Sequence, residues 1–220
     1  MKTFNHISFL FTLTLFMGLV CSCDDHDAID ANIYPGHVVT TDHKIMSLSD
    51  FRSRGNVRAE GVVFSVATPD HPMLVVLLDE IERCQYADSL FLQTTSADET
   101  AYDGFENTVK MQNSFDMKTM HGSPLGSRVI DYQSNGQSAY IPSVAEMNVL
   151  FASLSQVNPT LKALGGTPVT VSDDCWYWTS TEVSANAANQ SWLYSTASGS
   201  YQATLKTEYH RARPITCIYY

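Results

Sequence analysis

Cys175-Trp176-Tyr177-Trp178-Thr179-Ser180-Thr181-Glu182 reads as an aromatic strand that ends in small polar residues and an acid. Side chains alternate across a strand, so Trp176 and Trp178 share one face and Tyr177 takes the other. The tryptophan pair is expected in the core. Thr179, Ser180 and Thr181 are expected to turn the strand into a loop by hydrogen bonding. Glu182 is expected to accept backbone amides or to pair with Arg211 or Arg213. Downstream, residues 190–196, 200–206 and 215–219 read as further strands, and Ala197-Ser198-Gly199-Ser200 as the hairpin turn between the first two. Trp192, between Ser191 and Leu193, is expected in the core.

Upstream, Ile141-Pro142 ends an extended piece, because a residue before proline avoids the helical region. Ser143 and Glu146 then form the Ser-x-x-Glu pattern of a capping box. Val144, Met147, Leu150, Phe151 and Leu154 follow as one apolar helical stripe. Asn158-Pro159 predicts a second, separate helical turn, closed by Gly165-Gly166. Phe105, Val109 and Gln112 predict a helix over 103–112 by the same spacing. Residues 60–66 are rich in β-branched side chains and read as a strand. Residues 73–78 form an apolar run suited to a strand buried on both faces, and 90–93 read as another short strand. Residues 113–139 read as irregular.

The N-terminus carries a different signal. Lys2 and the apolar run 7–20 have the form of a secretory signal, too short to span a bilayer. Val20-Cys21-Ser22-Cys23 resembles the lipobox of bacterial lipoproteins, which implies cleavage after residue 22 and acyl chains on Cys23. Asp24-Asp25-His26-Asp27 resembles the surface-export signal of Bacteroidetes lipoproteins. Residues 23–56 then read as a lipidated tether with one early strand near 44–48. The formal charge of −10 for the whole chain becomes −11 without Lys2. An acidic chain with no basic cluster argues against nucleic-acid partners. Of five cysteines, Cys84, Cys175 and Cys217 remain after the signal and Cys23 are set aside. They allow one disulfide, with Cys175–Cys217 a conceivable pair and buried free thiols the alternative.

Several elements stand in one order: Gly61-Val62-Val63-Phe64, Asp103-Gly104-Phe105-Glu106-Asn107-Thr108, Ile141-Pro142-Ser143-Val144-Ala145-Glu146-Met147, Tyr177-Trp178-Thr179-Ser180-Thr181-Glu182, Lys206, and Arg211-Ala212-Arg213-Pro214-Ile215. Over residues 57–220 this resembles the C-type-lectin-like domain at the C-terminus of many Bacteroides lipoproteins and fimbrial tip proteins. That domain is related to the formylglycine-generating-enzyme fold and to retroelement-diversified variable proteins. The resemblance implies an α+β fold, two helices packed on a twisted antiparallel sheet, with the segment after Glu182 forming much of the exposed face.

Residues 183–210 support that role in composition: Ser, Ala, Thr, Asn and Tyr make up 18 of the 28. Tyr supplies rigid contact area and small polar residues adapt around it. Ser184, Asn186, Asn189, Tyr194, Thr196, Tyr201, Glu208, Tyr209 and His210 are the candidate ligand-binding residues. The expected ligand is a protein or glycan. The alternatives are a structural or assembly subunit of a pilus or envelope complex, and a diversified recognition protein. No catalytic residue, cofactor or metal is expected. The chain has neither the paired cysteines of formylglycine-generating enzymes nor the Glu-Pro-Asn, Gln-Pro-Asp and Trp-Asn-Asp tripeptides of calcium-dependent lectins. Ser180 lacks the glycine elbow of a hydrolase nucleophile. His71, His121 and His210 show no metal-ligand spacing. The resulting picture is a lipid-anchored outer-membrane protein, displayed on the cell surface.

Overall fold

The computed structural model describes residues 32–132 and 138–219. The expected signal sequence, Cys23 and the acidic run after it lie outside those residues. In chain order the elements are β1 (Val38–Thr40), β2 (Ile45–Met46), α1 (Leu48–Ser53), β3 (Ala59–Ser65), β4 (Met73–Leu77), β5 (Ile81–Gln85), α2 (Gly104–Gln112) and α3 (Pro124–Arg128). They continue with α4 (Val144–Ala163), β6 (Trp176–Glu182), β7 (Gln190–Ser195), β8 (Tyr201–Leu205), β9 (Tyr209–Ala212) and β10 (Ile215–Ile218).

The chain is an α+β fold with two five-stranded sheets, ordered β10-β4-β3-β1-β2 and β5-β9-β6-β7-β8. The first is antiparallel throughout. The second is mixed, because β6 and β9 run parallel, with Tyr177 opposite Arg211 and Trp178 opposite Ala212. One core packs Val62, Phe64, Leu74, Val76 and Ile215 of the first sheet on Met147, Leu150, Leu154, Val157 and Leu161 of α4, with Tyr177 and Tyr194 of the second sheet. A second core gathers Trp178, Leu193, Ile81 and Ala212 with Met111 and Leu125. The second sheet is therefore covered on both faces at its centre. Trp178 and Tyr177 are both wholly buried, while Trp176 is half-buried. Thr179, Ser180 and Thr181 are buried residues of β6 itself, which runs on to Glu182.

Residues 38–53, read from the sequence as part of a tether, include two strands and a helix of the fold. Val38 and Val39 are buried between β3 and β2, and the Gly36 N–H donates to the Val63 carbonyl at 2.8 Å. The strand β3 has two edges, β4 covers only one, and the Val-Val pair covers the other. The strand expected near 44–48 shrinks to two residues because Ser47 accepts the Asp50 N–H at 3.1 Å and caps α1.

The capping box on α4 is complete, with Ser143 and Glu146 bonding reciprocally. The helix then passes through Pro159 without a break. Pro159 removes one intrahelical bond, but the carbonyl acceptor left without a donor belongs to exposed Ser155. Asn158 does not cap. It donates to the Val169 carbonyl at 2.9 Å and accepts the Val169 N–H at 2.8 Å. Gly165, at φ +77°, ends the helix, and Gly166 N–H returns to the Leu161 carbonyl at 3.0 Å.

The helix α2 forms as expected but presents the opposite face. Phe105 and Val109 are exposed, whereas Gly104, Asn107, Thr108 and Met111 are buried. Hydrogen bonds anchor the polar side: Ile141 N–H to Thr108 Oγ1 at 2.8 Å and Ser96 N–H to Asn107 Oδ1 at 2.6 Å. No strand forms at 90–93, where Leu90 and Leu92 are exposed and Gln93 turns inward. The region after α2 holds α3 and a 3-10 turn, Val129–Tyr132, which bury Leu125 and Val129. Cys84, Cys175 and Cys217 are free thiols.

Candidate recognition surface

The segment 183–210 begins with a 3-10 turn, Ser184–Asn186. Side-chain amides brace it: Asn189 Nδ2 donates to Asn186 Oδ1 at 2.6 Å, and Asn186 Nδ2 to Gln190 Oε1 at 3.1 Å. The Lys206 N–H donates to the Asn189 carbonyl at 3.0 Å, joining this turn to the one after β8. Ser184, Asn186, Asn189 and Glu208 thus gather at one end of the sheet. Gly199, at φ +72°, closes the β7–β8 hairpin; a Cβ there would lie 2.7 Å from the Phe151 ring.

Register decides which aromatic residues are free. Tyr194 lies opposite Tyr201, Trp192 opposite Ala203, and Gln190 opposite Leu205. All six share one face. The α4 helix covers the Tyr194 end: Tyr194 is 0% exposed, its hydroxyl donates to Asn148 Oδ1 at 2.8 Å, and its ring lies 6.3 Å from Phe151. Tyr194 is a core residue, not a contact residue. Thr196 is also internal, at 1% exposure, with its hydroxyl bonded to the carbonyls of Thr170 and Cys175. Tyr201 is 37% exposed and Tyr209 is 60% exposed. Two strands separate β8 from β9, so these tyrosines occupy different parts of the surface. Beside Tyr209, half-buried His210 sets its ring edge-on to Trp178 at 5.2 Å, with Nε2 3.3 Å from Glu208.

Trp192 is half-buried rather than core. The Tyr201 ring meets it edge-on at 5.1 Å, and the Tyr201 hydroxyl donates to Glu99 Oε2 at 2.8 Å. That bond to a carboxylate raises the Tyr201 pKa. Trp192, Tyr201, Ala203 and Leu205 form an aromatic-aliphatic ledge with a carboxylate and the Gln190 amide at its border. Glu99 arrives from a distant loop and has no local signal in the sequence. Trp192 and Leu205 were legible as members of alternating strands, but alternation does not say which face is open.

Beneath this surface lies a buried polar cluster. Glu182 accepts the Gln93 backbone N–H at 3.0 Å, as the backbone-amide expectation had it. Its charged partner is Lys206, not an arginine. Arg211 pairs with Glu80 at 3.2 Å and Asp174 at 2.9 Å. Arg213, wholly buried, donates to the carbonyls of Thr167 and Leu77 at 2.7 Å. Lys206 also donates to the Gln93 side-chain carbonyl and, at 3.0 Å, to the Phe91 carbonyl. Burial lowers the Lys206 pKa against the opposing pull of Glu182. Burial, and after it the Glu182 charge, raises that of Tyr86.

Among the described residues, no group of three His, Cys, Asp or Glu side chains could hold a metal ion, and no helix is long and apolar enough to cross a membrane. A cleft of about 370 Å³ lies between the 67–72 turn and Ile218–Tyr219, and no candidate ligand residue lines it. No family model and no curated protein matches the chain.

Proposed function

We propose that this chain is a surface lipoprotein whose C-type-lectin-like domain recognises a protein or glycan without catalysis. The carrying observation is the ledge on the β7–β8 hairpin, where exposed Tyr201 meets half-buried Trp192 and Glu99 forms the border. Rigid aromatic surface beside hydrogen-bonding groups concentrates binding energy, because few torsions freeze on contact. The fold assignment draws support from β1 and β10 sharing one sheet and from the buried aromatic strand β6. Tyr201, Trp192 and Glu99 form the main contact. Ser184, Asn186, Asn189 and Glu208, at one end of the sheet, extend it; Tyr209 and His210, two strands away on β9, form a separate patch, and Tyr194 and Thr196 do not take part.

The test uses the lipid-free chain with Cys23→Ser on glycan and protein arrays, followed by Tyr201→Ala and Trp192→Ala against any ligand found. Removing an aromatic anchor costs about 2 kcal/mol or more, roughly thirtyfold in Kd. A folded Tyr201→Ala protein with undiminished affinity sinks the ledge. Metabolic labelling with palmitate, abolished by Cys23→Ser, tests the anchor, and protease shaving of intact cells tests surface display.

A second reading, assembly subunit, rests on the edge strand β8. Tyr-Gln-Ala-Thr-Leu carries no charge and no proline, the devices that usually guard an edge against strand addition. Ala203→Lys would then block incorporation into a pilus or envelope complex. Intact assembly with that variant excludes the reading.

A further inference from the structure

The buried cluster under the recognition segment has the composition of a self-modifying site, whatever ligand the ledge takes. Lys206 is 0% exposed and Gln93 is 2% exposed, and the amine donates to the Gln93 side-chain carbonyl and to Glu182 at once. The same Glu182 Oε1 holds the Gln93 backbone N–H at 3.0 Å, so one carboxylate locates both the amine and the amide. Gln93 Nε2 is buried with no hydrogen-bond partner, and so is Glu182 Oε2. Reversing the carboxamide would set its NH₂ against the ammonium, two donors face to face, so the orientation is fixed by chemistry. A buried ion pair and an orphaned NH₂ are both costly.

We propose that Lys206 and Gln93 join in an intramolecular isopeptide bond, with Glu182 as the proton acceptor. Glu182 takes a proton from the Lys206 ammonium, and the neutral amine attacks Cδ of Gln93. The Nζ–Cδ bond forms and the Cδ–Nε2 bond breaks. The second Nζ proton passes to Nε2, which leaves as ammonia. Nothing is oxidised or reduced. The ion pair becomes a neutral carboxyl beside a neutral amide, and the unpartnered NH₂ is gone. Burial favours the neutral amine that the attack requires, and the Tyr86 ring, 5.3 Å from Nζ, walls one side of the site. The bond would staple the loop carrying Gln93 to the end of β8, across 113 residues of sequence.

Peptide mapping of the full chain decides it. The folded protein is incubated overnight, then denatured and digested with trypsin. The expected product is a branched peptide joining residues 84–110 to 163–211, uncut at Lys206 and lighter by one ammonia than its two parts. Gln93→Ala and Glu182→Ala, each checked for native circular dichroism, should restore cleavage after Lys206. Wild-type protein that releases free 163–206 and an unmodified 84–110 peptide overturns the proposal, whether or not either variant folds. A branched peptide that persists in folded Glu182→Ala overturns the role given to Glu182.

Discussion

Replacing Glu146 by Gln should change how stability depends on pH. Glu146 is the third residue of α4 and is 2% exposed. Its carboxylate accepts the Ser143 N–H at 2.7 Å and the Tyr140 hydroxyl at 3.2 Å. Burial raises its pKa from 4.5 to about 7, more than those hydrogen bonds lower it. The folded chain therefore holds a proton between pH 4.5 and about 7 that the unfolded chain has released. Stability from this group is present below the unfolded value and is lost as pH rises through the folded one. Two and a half pH units at about 1.4 kcal/mol each make roughly 3 kcal/mol. Gln keeps the shape and completes a capping box equally well, but it cannot ionise. Urea unfolding of both proteins, followed by circular dichroism from pH 4 to 8, isolates the effect, since every other titrating group cancels in the difference. The variant should gain about 3 kcal/mol on the wild type across that window. A difference that stays flat with pH refutes the reasoning.

The paired tyrosines should separate cleanly. Tyr194→Ala should cost about 3–5 kcal/mol, as for a large core side chain, and Tyr194→Phe about 1 kcal/mol for its bond to Asn148; Tyr201→Ala should change the urea midpoint little. Gly104→Ala should destabilise by at least about 1–3 kcal/mol, because a Cβ there would lie 2.2 Å from the Glu146 carboxylate and 2.7 Å from the Ile141 carbonyl. Burial pushes the Cys84 thiol up to about 11, so iodoacetamide at pH 8 should label Cys84 only after unfolding, as tryptic mapping would show.

What could be read from the chain was local. The capping box at Ser143 and Glu146 needs only four consecutive residues, and the α4 stripe needs only helical spacing. The run 73–78 reads as doubly buried because no polar residue interrupts it, and β4 is buried at all five positions. Failures came where distant segments decide. Asn158-Pro159 has the form of a helix start, yet Val169 claims the Asn158 amide and the helix continues. The α2 helix shows an apolar stripe to solvent because Asn107 and Thr108 satisfy buried backbone groups from two other segments. Such bonds outweigh exposure of one Phe and one Val, since a buried N–H left unpaired costs about as much as either apolar side chain gains by burial.

Residues 183–210 illustrate the same limit more sharply. Tyr194 and Tyr201 face each other across one hairpin, on one face, in equally polar sequence. Composition therefore ranks them alike. Only the reach of α4 separates them: Asn148 and Phe151 close over Tyr194, while Tyr201 turns to Glu99. A surface chosen by counting tyrosines would have placed its anchor inside the core, and alanine there would have abolished binding by unfolding the domain. Measuring stability and affinity together on Tyr201→Ala and Tyr194→Ala distinguishes a ledge that binds from a hairpin that merely folds: the first variant should lose affinity while keeping its unfolding midpoint, and the second should lose the midpoint first.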